Sequence, residues 1–167
     1  MSSTRGFYLP QDGHLVSLII PKDLNIGAIN SSVIRLQKYN HASIIVSYGV
    51  ASRAAGVITI ESCSDMVPTV HTPITFSYYQ CITAFGSAND DVLSAIQNVT
   101  VPATGLIPAA AITGCFYVIE LDSEHLTAGH IGFRACFAAC GAASIASAIC
   151  ILSGTRYAVD QSATVDA

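Results

Sequence analysis

Charge is what this sequence has least of. Asp, Glu, Lys and Arg make up 11% of its 167 residues, under half the ~25% of an ordinary soluble domain. The seven basic residues, Arg5, Lys22, Arg35, Lys38, Arg53, Arg134 and Arg156, are scattered, and the net charge is -4. No basic patch exists to track phosphates, which argues against direct nucleic-acid binding. The acidic residues form no tail. No G-x-S-x-G elbow and no glycine-rich phosphate loop occurs, so neither a hydrolase nor a nucleotide-binding enzyme is indicated. The opening Met-Ser-Ser-Thr-Arg-Gly has no apolar signal region. The expectation is therefore synthesis in a cytoplasm, with Cys63, Cys81, Cys115, Cys136, Cys140 and Cys150 as reduced, structural thiols.

What is abundant is apolar sequence, at 51%. Two long uncharged stretches invite a membrane reading. Val92 to Ile119 is broken by Pro102, Gly105, Pro108 and Gly114. Ala135 to Thr155 is mostly Ala, Ser, Cys and Gly, with Arg134 and Arg156 at its two ends. Neither reads as a bilayer span.

Period-two alternation dominates instead, and it predicts strands. An apolar run covers His14 to Ile20. Ser32 to Lys38 alternates, and Ala42 to Tyr48 sets Ile44, Val46 and Tyr48 on one face against Ser43 and Ser47. Val57 to Cys63, Ile74 to Gln80, Cys115 to Leu121 and Ile131 to Phe137 follow the same rule, and Asp65 to Pro73 reads as a loop. Two segments stay open. Asn89-Asp90-Asp91 can cap a helix through Ile96, or Val92–Val99 can be a strand. The stretch 138–152 is a last strand from Ile145, or an alanine-driven helix. Strands with turns every ~8–12 residues and no convincing helices predict an all-β, antiparallel sandwich or jelly roll. The organisation expected is an N-terminal arm and first strand over 1–31, a β-sandwich domain over 32–157, and a C-terminal arm over 158–167.

Candidate chemistry is thin. Asp122-Ser123-Glu124-His125 and His130 bring carboxylate and imidazole ligands close in sequence, but the spacing suits no zinc site and the segment reads as a solvated connection. Cys136 and Cys140 fit neither a redox pair nor a zinc knuckle; on a strand they share one face and belong to the core. Sequons at Asn30 and Asn98 lack a secretory context. Tyr78 and Tyr79 fall on opposite strand faces, one for the core and one exposed, which leaves room for a sugar platform on Tyr79. The expectation is no catalytic residue, no cofactor and no metal.

The strand sequences resemble a family of small structural proteins of tailed bacteriophages. The resemblance runs through Lys38-Tyr39-Asn40-His41-Ala42-Ser43-Ile44-Ile45-Val46, Gly49-Val50, and Val57-Ile58-Thr59-Ile60-Glu61-Ser62-Cys63. It continues through Thr72 to Tyr79, Phe116 to Asp122, and Ile151-Leu152-Ser153-Gly154-Thr155-Arg156-Tyr157, covering roughly residues 35 to 157. It implies a non-enzymatic virion component, made in the host cytoplasm and located on the capsid surface. The role implied is a cement or decoration protein that binds the major capsid protein and steadies contacts between capsomers. Neck, tail or fibre-anchoring components are the alternative, with a carbohydrate-binding module behind them. The shortage of charge adds the expectation of a homo-oligomer, with a trimer on a local three-fold as a fitting symmetry, and arms Met1–Pro10 and Ala158–Ala167 reaching neighbours.

Overall fold

The computed structural model describes residue 9 and residues 13–51, 56–109, 113–155 and 164–165. Among the described residues eleven strands form: β1 (His14–Asp23), β2 (Ile29–Asn30), β3 (Ile34–Arg35), β4 (Tyr39–Ala51), β5 (Ile58–Cys63), β6 (His71–Pro73), β7 (Phe76–Cys81), β8 (Gln97–Val99), β9 (Phe116–Asp122), β10 (Gly132–Phe137) and β11 (Ser144–Thr155). Leu9 is helical, and the other helical elements among the described residues are short 3-10 turns at Leu24–Ile26 and Ser123–His125. No helix there is long and apolar enough to cross a membrane.

The strands pair as a nested ladder, every pair antiparallel. β1 pairs with β11, β2 and β3 with β10, β4 with β9, and β5 with β6. Successive rungs go alternately into two sheets. One sheet has the order β1-β11-β4-β9-β7-β8; the other runs β2-β10-β5-β6, with β3 also on β10. Such winding of paired strands across two layers is a jelly roll. The all-β expectation holds.

The alternation read from sequence is what fills the space between the sheets. From the first sheet Ala42, Ile44, Val46, Tyr48, Tyr117, Ile119, Leu121, Ala146, Ala148, Cys150 and Leu152 point inward and are fully buried. From the second, Ile58, Ile60, Phe133, Ala135 and Phe137 meet them in one continuous core. Alanines on β4 and β11 leave room for the rings of Tyr48 and Tyr117, which pack edge to face at 6.0 Å. Each large side chain so buried contributes about 1.5–3 kcal/mol.

Several elements depart from their sequence reading. Ser32–Lys38 is not one strand. Only Ile34 and Arg35 pair, because the chain turns at once, with the Tyr39 amide donating to the Leu36 carbonyl. Residues 89–98 form neither a helix nor a long strand. Asp90 turns its carboxylate back onto the Gly86 amide instead of capping a helix, and Asn89 is left-handed at φ 67°. Only Gln97–Val99 pairs, with β7. In 138–152 the strand wins, starting at Ser144. Alanine propensity is worth a few tenths of a kcal/mol per residue, whereas β11 gains a ladder on both sides by lying between β1 and β4. The Asp65–Pro73 loop closes with a short edge strand, β6, where Pro73 is tolerated because the edge needs no further donor.

Of the two expected arms, all but Leu9, Thr164 and Val165 lie outside the described residues. Thr164 is buried and its carbonyl accepts from the Arg35 amide, while Val165 packs on the core. Residues 14–31 are part of the sandwich: β1 lines one sheet and β2 the other. Asp23 ties the first connection to the last strand, accepting from the amides of Asn25 and Ser144.

Candidate interaction surface

The residues singled out from sequence do not converge. His125 folds back locally, its Nδ1 accepting from the Asp122 amide at 2.9 Å. His130 lies elsewhere, with Nδ1 2.8 Å from the Ser62 hydroxyl. No group of three potential metal ligands with suitable geometry occurs among the described residues. All six cysteines are free, and Cys63, Cys81, Cys115 and Cys150 are buried. Burial pushes the Cys63 thiol up to about 11 and the Cys136 thiol up to about 12, and also raises Cys115 and Cys150. These are inert thiols rather than nucleophiles. β10 ends at Phe137, so Cys136 and Cys140 share no strand face; Cys136 donates to Glu61 and Cys140 to the Ala142 carbonyl, and both are half-buried. Tyr78 and Tyr79 do lie on opposite faces of β7, but both are half-buried: Tyr78 reaches the core edge and donates its hydroxyl to Gln97, and Tyr79 pairs with Val118 on the outer face. Asn30 and Asn98 are exposed on short strands. An open groove of about 390 Å³ beside β7 and β8, lined by Thr75, Phe76, Ser77, Asn98, Val99, Thr100 and His125, gathers no constellation of charges.

Sequence reading missed a polar cluster on the outer face of the six-stranded sheet. Register places His41 opposite Asp122 and Ser43 opposite Glu120. His41 Nδ1 lies 2.7 Å from Asp122 Oδ1, and Nε2 lies 2.7 Å from Glu120 Oε2. Ser43 donates its hydroxyl to the same Glu120 oxygen at 2.7 Å. The order Asp–His–Ser suggests a catalytic triad, and His41 Nε2 also lies 3.2 Å from the Ser43 hydroxyl, but Nε2 is closer to Glu120 and the serine gives its proton to that carboxylate. An ionised carboxylate only accepts, so a carboxylate at each ring nitrogen favours the doubly protonated, charged imidazole. A general base needs a free lone pair toward the serine, and here that position is spent on Glu120. Burial pulls the His41 pKa down, but the hydrogen bonds and charges of Asp122 and Glu120 outweigh it, so it lies above the usual 6.5. The cluster sets opposite charges against one another on a sheet face.

Beside it the same face is apolar. Ile149 pairs with Ile45, Ile45 with Val118, and Val118 with Tyr79, forming one uncharged row across four strands. Ile96 follows just beyond the paired Tyr78 and Gln97, and is exposed. Leu15 and Ile151 pair in the next row. Leu15 is 53% exposed, Ile145 47% and Ile149 40%. The β7–β8 connection continues the pattern with exposed Ile82, Phe85, Val92 and Leu93.

The second sheet's outer face is different in kind. Arg134 holds Glu61 through Nε and Nη2, each at 2.7 Å, and His71 approaches the same carboxylate at 3.1 Å. Burial raises the Glu61 pKa, but the Arg134 and Cys136 hydrogen bonds and the nearby positive charge hold it below the usual carboxylate value. The charged groups there satisfy one another. Compared with known proteins, the chain matches no family model, no curated protein and no solved structure.

Proposed function

We propose that this chain is a non-enzymatic structural component of a tailed-bacteriophage virion, a cement or decoration protein on the outer capsid surface with the major capsid protein as its partner. One observation carries the assembly role: the two faces of the sandwich are unlike. One is polar and internally paired, suited to water. The other, with the β7–β8 connection, exposes aliphatic and aromatic side chains that a solitary soluble domain would hide. The virion assignment rests in addition on the strand resemblance over residues 35–157.

A cement acts by adding buried area across joints between capsomers. Stable interfaces bury about 1,600 Å² in all, and many repeats of a modest contact hold a shell by avidity. Phe85, 81% exposed, and its neighbours Val92 and Leu93 are the side chains for that contact. The test is quantitative mass spectrometry of purified particles together with a cryo-EM map. Copies on the order of hundreds, spread over the shell, are expected. A dozen or fewer, confined to one vertex, would transfer the chain to the neck or tail and overturn the cement reading.

A further inference from the structure

We infer that the outer face of the six-stranded sheet is covered by a second copy of this chain, centred on the row Ile149–Ile45–Val118–Tyr79. The inference rests on the assembly reading above and adds to it the occupant and the residues.

The choice of a second copy follows from charge. In a two-fold contact the residues on the axis meet their own copies, so a charge at the centre would face its like and a neutral centre avoids this. This row carries no charged residue in any of its strands. Of the ionisable groups paired into this face, His41, Glu120 and Asp122 sit together and are bonded to one another, and Asp23, opposite Ile145, is occupied by the Asn25 and Ser144 amides. The polar residues between the aliphatic ones are short: Ser17 pairs with Ile149, Ser43 with Ile151, and Ser47 with Ser147. Short side chains keep the face flat enough for another β-layer to approach to the ~10 Å of stacked sheets.

Size points the same way. Strands ~4.8 Å apart and same-face residues ~6.7 Å apart give the three rows before His41 and Asp122, across β1, β11, β4, β9 and β7, a footprint on the order of 480 Å². A standard stable interface takes about 800 Å² from each partner. Exposed Ile96, Ile82, Phe85, Val92 and Leu93 adjoin the face and extend it toward that size. Sequence signals it too: Ile44-Ile45-Val46 and Tyr117-Val118-Ile119 are apolar on both faces of their strands, as expected of strands covered on both sides.

The experiment is sedimentation equilibrium of the full chain at ~1–100 µM, which brackets a micromolar dissociation constant. Wild type is expected to associate. Val118→Glu and Ile149→Glu are expected to weaken association at least about 30-fold, the loss typical of a central interface residue. Asn30→Glu, on the polar face, is expected to leave it unchanged. Circular dichroism and melting of each variant establish that it is folded. Ile149 is already 40% exposed, so its variant keeps the test valid if Val118→Glu does not fold. A wild type that stays monomeric, or an association that survives Ile149→Glu, overturns the inference. A monomer present in hundreds of copies per particle would remove this interface and leave the cement role standing; an associating chain found in a dozen copies would do the reverse.

Discussion

Gly132 gives the sharpest test of the packing described above. It opens β10, paired with Cys63 on one side and Arg35 on the other. A Cβ there would stand 2.1 Å from the Ile34 carbonyl oxygen and 2.8 Å from its carbon. These are backbone atoms, so no rotamer change relieves them. β3 would have to withdraw by ~1 Å to restore ordinary contact. β3 is held by the Arg35 amide bond to Thr164 and the Leu36 amide bond to Ile131. Losing two or three such hydrogen bonds at ~1 kcal/mol each, with ~1 kcal/mol of strain and lost packing around buried Ile34 and Leu36, gives a cost of about 3–4 kcal/mol for Gly132→Ala. For a domain of this size that lowers Tm by about 10 °C. Gly129→Ala is the control. Its φ is +85° but nothing lies within 4 Å of the new carbon, so only the left-handed backbone resists, at ~1 kcal/mol or about 3 °C. Thermal melts by circular dichroism at one fixed protein concentration compare the two. A Gly132→Ala protein melting within about 2 °C of wild type would refute the close approach of β3 to β10.

The thiols supply a second prediction: iodoacetamide at pH 8 should leave Cys63, Cys115, Cys136 and Cys150 unlabelled in the native protein and label them after unfolding, and reductant should leave Tm unchanged; rapid native labelling of these four would contradict their burial. Stability should also follow the His41 proton. Its pKa is raised on folding, so its contribution is complete below the unfolded value near 6.5 and is lost as pH rises through the folded value. Tm should therefore fall from pH 6 toward pH 9, less so in His41→Gln, and NMR titration of the imidazole should give a midpoint above 6.5; a midpoint at or below it would break the network as described.

How much of this was legible in the sequence depended on whether one strand face was polar. β5 and β10 alternate cleanly, and β4 and β9 do so except at central Ile45 and Val118, so the sequence separates their two faces, because burial on one side imposes a period of two whatever the neighbours are. Ala138–Leu152 was ambiguous because alanine suits a helix locally and a crowded sheet globally, and only its partners β1 and β4 decide between them. The turn at Asn89–Asp91 hid behind residues that equally well begin helices. The His41–Glu120–Asp122 cluster was out of reach for another reason. Its members are about 80 positions apart, and they meet only through the β4–β9 register, which alternation does not determine. The apolar outer row was partly visible in Ile44-Ile45-Val46, whose middle residue has no polar counterpart.

The nested ladder has a consequence for how the chain is made. β1 pairs with β11, so His14 finds its partner, Leu152, only after nearly the whole sandwich has been synthesised. β11 also fills the gap between β1 and β4. Until it emerges from the ribosome, both neighbours present open edges and an uncovered apolar layer, in a chain with little charge to keep copies apart. Such long-range pairing folds slowly, and the exposed interval is when aggregation competes. The final strand thus acts as the closing stitch of the fold, and a nascent chain stalled before Ser144 is the form most in need of a chaperone.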